Sequence, residues 1–208
     1  MSKEHKNGKL YVVSGPSGAG KGTICKEIAS REQVEISISM TTREPRTGEV
    51  DGKDYYFVSK EEFEESVAQN NLLEWASVHG NFYGTPKDAV MKRIERGRNV
   101  ILEIDVQGGL QVKKAMPETV LVFILPPSIS ELRQRLTGRG TDAKDVIERR
   151  MNQAINEIKL IGEYDYYIVN NEVEGAVEDL QAIINAEASK VPSKVRSIIS
   201  RYENEEGK

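Results

Sequence analysis

A glycine-rich segment that contains one lysine lies close to the start of the sequence. Residues 15–23 read Gly-Pro-Ser-Gly-Ala-Gly-Lys-Gly-Thr, which is the Gly-x-x-x-x-Gly-Lys pattern of a phosphate-binding loop. Glycines let successive backbone N–H groups turn toward phosphate oxygens, and Lys21 adds a mobile positive charge. The apolar run Leu10–Val13 precedes the segment, and a helix is predicted after it, from about Gly20 to Ser30. This strand–loop–helix context predicts a nucleoside triphosphate site rather than a plain glycine-rich turn.

One position of this loop departs from the common pattern. Gly22 stands where Ser or Thr is usual, and Thr23 follows it. The Gly-Lys-Gly-Thr ending is common among nucleoside monophosphate kinases, with the threonine reaching Mg²⁺ directly or through a water. The residues expected to hold the triphosphate are Gly15, Pro16, Ser17, Gly18, Ala19, Gly20, Lys21, Gly22 and Thr23.

A second group of side chains suited to phosphate follows in residues 39–58. Arg43 and Arg46 flank Pro45, so that two guanidinium groups can grip one phosphate bidentately. Tyr55 can donate its hydroxyl to the same phosphate. Taken alone, the two arginines are more typical of an ordinary protein surface, and the tyrosine is equally typical of a small aromatic core.

Further short motifs follow in order along the chain. They include Leu73-Glu74-Trp75, Asn81-Phe82-Tyr83-Gly84-Thr85 and Ile104-Asp105-Val106-Gln107-Gly108. With the phosphate loop and the string from Ser39 to Val58, they closely resemble the guanylate kinase family from about Leu10 to Ala186. The resemblance implies an enzyme that uses ATP, GMP and Mg²⁺. It also implies that the GMP phosphate is held by Ser39, Arg43, Arg46, Tyr55 and Tyr83.

The resemblance also implies how the base is chosen. Guanine presents two neighbouring donors, N1–H and the N2 amino group, and a carboxylate such as Glu74 can accept from both. Thr85 resembles the hydroxyl donor to O6, but Thr85-Pro86 is an equally good N-cap and first residue for the next helix. Asp105 follows a buried strand and resembles the family's aspartate near guanine and a metal-bound water; a plain strand-end acid is the alternative.

An arginine-rich hairpin is predicted further along the chain. Ser128 and Glu131 form a capping box, residues 138–140 read Gly-Arg-Gly, and a second helix carries Arg149 and Arg150. Two helices around a glycine break suit a mobile lid over a triphosphate, although a solvated helix face also carries basic residues. The resemblance implies that Arg135, Arg139 and Arg150 contact the transferring phosphates, with Lys21 the fourth catalytic residue. It also implies that Asn170 contacts the ATP adenine, where a turn residue is the alternative.

These residues require a layered α/β fold to position them. Alternating apolar strands and helices predict a phosphate-loop core with a mostly parallel sheet flanked by helices, a small mixed α+β insert for the monophosphate, and a helical lid. Apolar strands are predicted at Leu10–Val13, Val100–Ile104, Val120–Leu125 and Tyr166–Val169. Helices are predicted near 60–70, 107–115, 128–136, 142–160 and 174–189.

The stretch from about 34 to 84 interrupts the alternation of strands and helices. Val34–Met40 alternates apolar and polar residues, as a half-solvated strand does, and seven of the 13 aromatic residues fall within 55–83. We expect an inserted subdomain here with its own core. The expected organisation is 1–33 core, 34–97 GMP-binding subdomain ending in a return helix, 98–127 core, 128–158 lid, and 159–208 core with a C-terminal helix.

Composition limits the classes of function. Of the 208 residues, 38% are hydrophobic and 30% are charged, and this hydrophobic fraction is too high for a disordered chain. The net charge of -4 argues against a nucleic-acid coat or a basic membrane-surface protein. The single cysteine, Cys25, and two histidines form neither an internal disulfide nor a Cys/His zinc set. No apolar run approaches the length of a membrane span, so the cytoplasm is the expected location; monomer and homodimer both stay open.

Three other functions are alternatives to ATP-dependent phosphoryl transfer to GMP. Another nucleoside monophosphate kinase would share the chemistry but not the combination of Arg43, Arg46, Tyr55 and Glu74. A protein-binding scaffold related to guanylate kinases typically lacks the phosphate loop or the arginines. A regulatory GTPase would carry an Asn-Lys-x-Asp string, which this sequence lacks. For the favoured reaction we expect in-line transfer without a general base, because the acceptor oxygen of GMP is already anionic.

Overall fold

The computed structural model describes residues 7–31, 34–78, 80–137 and 144–191, together with residues 195, 199, 202 and 203. The strands of the described chain are β1 Leu10–Ser14, β2 Val34–Ile36, β3 Met40–Thr41, β4 Tyr56–Phe57, β5 Leu72–Val78, β6 Asn81–Pro86, β7 Asn99–Glu103, β8 Val120–Leu125 and β9 Tyr166–Val169. Its α-helices are α1 Lys21–Arg31, α2 Lys60–Ala68, α3 Lys87–Glu95, α4 Val106–Ala115, α5 Ile129–Thr137, α6 Lys144–Ile158 and α7 Val173–Ser189.

A parallel sheet with the order β2-β7-β1-β8-β9 forms the centre of the molecule. β1 is buried along its whole length and β8 along almost all of it, because helices cover both faces of the sheet. Since all five strands run the same way, their carboxyl ends meet at one edge, where ligands bind in open α/β sheets. The predicted α/β fold class is confirmed.

A smaller sheet with the order β4-β3-β6-β5 lies in the excursion between β2 and β7. Helix α2 begins after Ser59, whose side chain and Glu62 form the expected reciprocal capping box. Phe63 of α2 is buried and contacts the rings of Trp75 and Phe82, with ring centroids 6.5 Å and 5.5 Å away. These aromatics form a local core, as their clustering in the sequence predicts.

The prediction of one strand over Val34–Met40 is wrong. Val34–Ile36 pairs with Asn99–Ile101 in the large sheet, whereas Met40–Thr41 belongs to the small one. The excursion therefore leaves the core sheet after Ile36, not at residue 34 as the sequence analysis has it. Alternating polarity indicates a half-solvated strand but does not say which sheet the strand joins. The alternation here continues through the residues at which the chain passes from the large sheet to the small one.

The hairpin of α5 and α6 packs through a separate small core. Its members are Leu132, Leu136, Ile147, Met151 and Ala154. Ser128 accepts from the backbone N–H of Glu131 at 3.0 Å, so the predicted cap starts α5. Within the described residues, no helix has both the length and the apolar character needed to cross a membrane.

Candidate active site

The phosphate loop connects β1 to α1 at the carboxyl edge of the large sheet, and a cavity of about 520 Å³ opens above it. Gly15, Gly18 and Gly20 all have positive φ, at 139°, 90° and 92°. A Cβ on Gly15 would lie 2.2 Å from the Ile124 carbonyl oxygen, and one on Gly20 would lie 2.3 Å from Asn170 Nδ2. Both positions therefore exclude side chains, which fixes the curled backbone that phosphate binding needs.

Lys21 is folded back onto its own loop. Its Nζ donates to the carbonyl oxygens of Gly15 at 2.6 Å and Pro16 at 3.1 Å. Burial lowers the pKa of Lys21, while the nearby carboxylates of Glu103, Glu157 and Asp105 act in the opposite direction. The ammonium thus lies at the cavity, held by weak neutral acceptors that a phosphate group can replace.

The side chain of Asn170 is hydrogen-bonded to the phosphate loop. Its buried Nδ2 donates to the Ala19 carbonyl oxygen at 2.7 Å, and its backbone oxygen accepts from Arg135 at 3.3 Å. Its Oδ1 is buried without a hydrogen-bond partner among the described residues. The side chain is therefore committed to the loop, and the expected contact with adenine stays a prediction.

A second cavity, of about 310 Å³, lies between the small sheet and the end of β7. Five side chains that the sequence analysis assigns to GMP border it: Ser39, Tyr55, Glu74, Tyr83 and Asp105. They come from separate parts of the chain, so their convergence at one cavity was not imposed by sequence proximity. Arg43, Arg46 and Thr85 do not line this cavity directly.

Glu74 is the buried acid of this second cavity. Thr85 donates its hydroxyl to Glu74 Oε1 at 2.6 Å, and a Cβ on Gly108 would lie 3.1 Å from Oε2. Burial raises the pKa of Glu74 to about 7, against the lowering effect of the Thr85 hydrogen bond; the charge of Asp105 raises it further. The site thus holds a carboxyl group close to its titration midpoint at neutral pH.

The alternative role of Thr85 as a helix cap is wrong. Helix α3 begins at Lys87 after Pro86, and no side chain caps its first turn. Thr85 is fully buried at the end of β6, where its hydroxyl points at the neighbouring strand and bonds Glu74. Asp105, in contrast, is a cap: its Oδ1 accepts from the Gly108 N–H at 2.9 Å at the start of α4.

Arg43 already holds an anion, the carboxylate of Glu49. Its Nη2 lies 2.9 Å from both Glu49 oxygens, and its guanidinium lies 5.5 Å from the centre of the Tyr55 ring. Glu49 also accepts from the backbone N–H of Arg46 at 2.7 Å; that bond and the bond from Arg43 lower the Glu49 pKa against the opposing effect of burial. Arg43 is thereby paired with a doubly accepting, negatively charged group of its own segment.

Comparison with known proteins agrees with this geometry. The family model described as guanylate kinase matches residues 7–187. A guanylate kinase of Carboxydothermus hydrogenoformans is 55% identical over 92% of this chain and 93% of its own length, and one of Clostridioides difficile is 49% identical over 96% and 98%. The crystal structure of guanylate kinase from Anaplasma phagocytophilum superposes with a TM-score of 0.76 at 34% identity, covering 95% of this chain and 96% of that one.

The chain belongs to the guanylate kinase family. Membership confirms the resemblance drawn from the motifs and makes the chain an enzyme of the kinase class. The roles of single residues within a guanylate kinase site stay predictions, to be judged by their placement. Of the lid arginines, Arg135 borders the phosphate cavity, the partly exposed Arg150 lies on α6, and Arg139 lies outside the described residues.

Sequence reasoning missed three charged residues at the site. Glu103, at the end of β7, borders both cavities; Lys26, on α1, borders the phosphate cavity; and Glu49 holds Arg43. Glu103 carried a usable signal, because it is the one charged residue in the apolar run Val100–Ile104 and precedes Asp105 by two positions. Glu103 ends β7 and Asp105 caps α4 just beyond it, so both acids lie at the carboxyl edge of the sheet.

Proposed function

We propose that this enzyme transfers the γ-phosphoryl group of ATP to GMP, giving ADP and GDP. The observation that carries the proposal is the adjacency of two cavities at the carboxyl edge of the sheet, one over the phosphate loop and one around Glu74. Phosphoryl transfer requires donor and acceptor to meet in line at a short distance, and adjoining cavities supply that proximity.

Recognition of guanine is assigned to Glu74. The ionised carboxylate accepts from N1–H and the N2 amino group of guanine, whereas the bare N1 lone pair of adenine would be repelled. The Thr85 hydroxyl proton is engaged by Glu74 Oε1. In this arrangement Thr85 acts on the base by fixing the carboxylate, and donation to O6 would require its hydroxyl to rotate.

The monophosphate group is assigned to Ser39, Arg43, Arg46, Tyr55 and Tyr83. The pairing of Arg43 with Glu49 supports this role, because a carboxylate and a phosphate present the same two-oxygen edge to a guanidinium group. A phosphate carries more charge than a carboxylate at neutral pH, so GMP can take Arg43 from Glu49.

The chemistry needs positioning and charge neutralisation rather than a general base. Lys21 exchanges the Gly15 and Pro16 carbonyl oxygens for phosphate oxygens. Arg135 of α5 and Arg150 of α6 are assigned to the transferring phosphates, as is Arg139, which lies outside the described residues. Closure of the lid excludes water, which would otherwise accept the phosphoryl group. Asn170 keeps the loop in place through its bond to the Ala19 carbonyl oxygen, and we assign to it a contact with the adenine of ATP.

A divalent metal fits this site as a companion of the triphosphate. Among the described residues, no group of three or more His, Cys, Asp or Glu side chains could hold a metal ion alone. Mg²⁺ commonly binds through one or two protein oxygens plus substrate phosphates, which suits Thr23 and, through a water, Asp105. When bound, Mg²⁺ neutralises charge on the β- and γ-phosphates.

A coupled assay of ADP formation tests the proposal. ATP is offered with GMP, dGMP, AMP, CMP and UMP as separate acceptors, and we expect turnover with GMP at least 100-fold above that with AMP, CMP or UMP. A flat response across the panel, or a preference for AMP, would refute the assignment of Glu74 and the proposed reaction together.

A further inference from the structure

Two consecutive glycines lie near the start of α4. Gly108 and Gly109 are both buried, and neither has a positive φ. In helical backbone of this kind alanine is more favourable than glycine, because glycine loses more conformational freedom when the helix forms. The reason for a glycine at either position therefore lies in what surrounds it rather than in its own backbone.

The two glycines face different neighbours. A Cβ on Gly109 would lie 2.7 Å from Tyr164 Oη and 3.1 Å from Ser14 Oγ, so this glycine lets α4 pack closely on the core. A Cβ on Gly108 would instead lie 3.1 Å from Glu74 Oε2, which is tighter than an ordinary van der Waals contact. Gly108 thus marks the place where a carboxyl group carried by the small sheet reaches a helix of the core.

The carboxyl group of Glu74 has little room to move away from α4. Its Oε1 accepts the Thr85 hydroxyl at 2.6 Å, and the residue is only 6% exposed. On either side of it along β5, Leu73 packs into the core cluster beside β1 and β7, and Trp75 donates its backbone N–H to Gln111 Oε1 of α4 at 3.5 Å. Because the strand is fixed at these two points, a methyl group added to α4 here would displace the carboxyl group rather than the strand.

We propose that Gly108 is a positioning residue for guanine recognition, because the side chain that it lacks leaves the slot in which the Glu74 carboxylate lies between Thr85 and α4. The acid that reads the base is then placed by the core helix as well as by the small sheet. A larger residue would shift an acceptor oxygen by a few tenths of an ångström, which weakens a contact that needs two parallel hydrogen bonds. This inference rests on the proposed function for the identity of the base.

A double-mutant cycle, measured by thermal unfolding without nucleotide, tests the contact. Gly108→Ala is made in the wild type and in Glu74→Ala. With the carboxyl group removed the methyl group has room, so we expect Tm to rise by roughly 2–4 °C, the gain of alanine over glycine in a helix. In the wild-type background this rise should be absent or reversed. An equal rise in both backgrounds would overturn the proposal, and so would failure to fold in both.

Gly175→Ala is the matched control for this cycle. Gly175 is the third residue of α7, as Gly108 is the third residue of α4, and a Cβ on Gly175 would meet nothing within 4 Å. Its effect on Tm should therefore be the same in the wild type and in Glu74→Ala. If the effect of Gly175→Ala depended on Glu74 as strongly as that of Gly108→Ala, the coupling would not report a contact and the proposal would fail.

The four proteins of the cycle also measure the effect on GMP. We expect Gly108→Ala to raise the KM for GMP roughly tenfold or more and to leave the KM for ATP within about twofold of its wild-type value. In Glu74→Ala the base-reading carboxylate is already gone, so the same change should alter the KM for GMP by less than about twofold. Equal factors in both backgrounds would make Gly108 a structural residue, and an unchanged KM in the wild-type background would also overturn the proposal.

The outcome is separable from that of the proposed function. If the wild-type enzyme fails to phosphorylate GMP, the proposed reaction is wrong, while the thermal cycle still decides whether Gly108 and Glu74 are in contact. If the wild type phosphorylates GMP and Gly108→Ala keeps the same KM for GMP, only the role of Gly108 is wrong.

Discussion

At the scale of single residues, burial shifts the pKa of two charged groups at the candidate site. Glu74 is buried beside Thr85 with its pKa raised to about 7, and Lys21 is held by carbonyl oxygens with its pKa lowered by burial. In both residues burial disfavours the charged form, at the places where we propose that the two nucleotides bind.

Binding of GMP is expected to depend on pH through Glu74. The acceptor form is the carboxylate, and with a pKa of about 7 its fraction rises about ninefold, from about a tenth to nine tenths, between pH 6 and 8. The KM for GMP should fall correspondingly as pH rises, while the KM for ATP changes little. The same raised pKa acts oppositely on stability: the protonated form is favoured by folding, so this contribution is lost as pH rises through about 7.

Glu74→Gln supplies the comparison for this pH dependence. Glutamine cannot ionise, so the variant should bind GMP weakly with a KM that is flat from pH 6 to 8. A wild-type profile that is equally flat would remove Glu74 from the base site. A profile that keeps its slope in Glu74→Gln would assign the titration to another group.

Replacement of Lys21 by alanine should reduce kcat by roughly 10²–10³-fold or more while the fold persists. Among the described residues the Lys21 ammonium bonds to the carbonyl oxygens of Gly15 and Pro16 alone, so its loss removes few native contacts. Steady-state kinetics and a thermal melt on the same preparation separate the two effects. A large fall in Tm with a proportionate fall in activity would mean that Lys21 is structural.

The residues that sequence could and could not anticipate differ in a physical way. Gly15, Gly20 and Lys21 belong to the phosphate loop, whose backbone N–H groups and positive charge all lie within a few positions of one another. The sequence pattern therefore contains every part of this motif. Glu103 borders both cavities because the fold places β7 beside β1, and the spacing of Arg43 and Glu49 does not by itself mark them as a salt bridge. The bond between Thr85 and Glu74 likewise depends on the pairing of β5 with β6, which no spacing rule reveals.

At the scale of elements, α7 is joined to the large sheet by a buried polar cluster far along the chain from the catalytic loop. Glu187, only 3% exposed, accepts from Lys9, Tyr166 and Lys190, each at 2.8 Å. This cluster ties the C-terminal turn of α7 to the residue before β1 and to the start of β9. The helix and the strands were predictable from periodicity. The hydrogen-bonded cluster around Glu187 was not, because its members lie up to 181 positions apart in the sequence.

Glu187→Gln should lower the free energy of unfolding by about 3 kcal/mol at pH 7. Three donors lower the pKa of Glu187 to about 2, overcoming burial, the largest single influence, which raises it. Because the folded pKa lies below the unfolded value of about 4.3, the stabilisation is present above that value and is lost as pH falls toward 2. Urea unfolding at pH 7 and pH 3 should show a smaller difference between variant and wild type at the lower pH.

Glu178→Gln is a suitable control for this measurement. Glu178 lies exposed on the same helix, so the substitution should change stability by less than about 0.5 kcal/mol at either pH. A similar loss in both variants would show that helix charge, and not the buried cluster, sets the effect.

At the scale of the whole molecule, one parallel sheet carries two excursions that reach the same edge. The α/β class and the two excursions were predictable, because alternating strands and helices are visible as separate apolar segments. The split of residues 34–40 between two sheets was not, because alternating polarity does not reveal that β2 pairs with β7 whereas β3 pairs with β4 and β6. Both cavities are thus bordered by residues at the carboxyl edge of the large sheet.

A ligand that spans both cavities should bind more tightly than its halves. Adenosine and guanosine joined by five phosphates would occupy the loop cavity and the Glu74 cavity at once, with the second contact made at high effective concentration. We expect it to raise Tm by more than ATP and GMP together at equal concentration. The corresponding diadenosine compound is the control, and an equal rise in Tm with both would argue that the second cavity does not read guanine.

The salt bridge between Arg43 and Glu49 also bears on how product leaves. A guanidinium group stripped of its phosphate would be left largely enclosed and unpaired, which would hold GDP in place and slow turnover. On the proposed function, Glu49 can receive Arg43 again when the nucleotide departs, so that one anion would replace another. We therefore expect this carboxylate, six residues away along the chain, to ease release of the product.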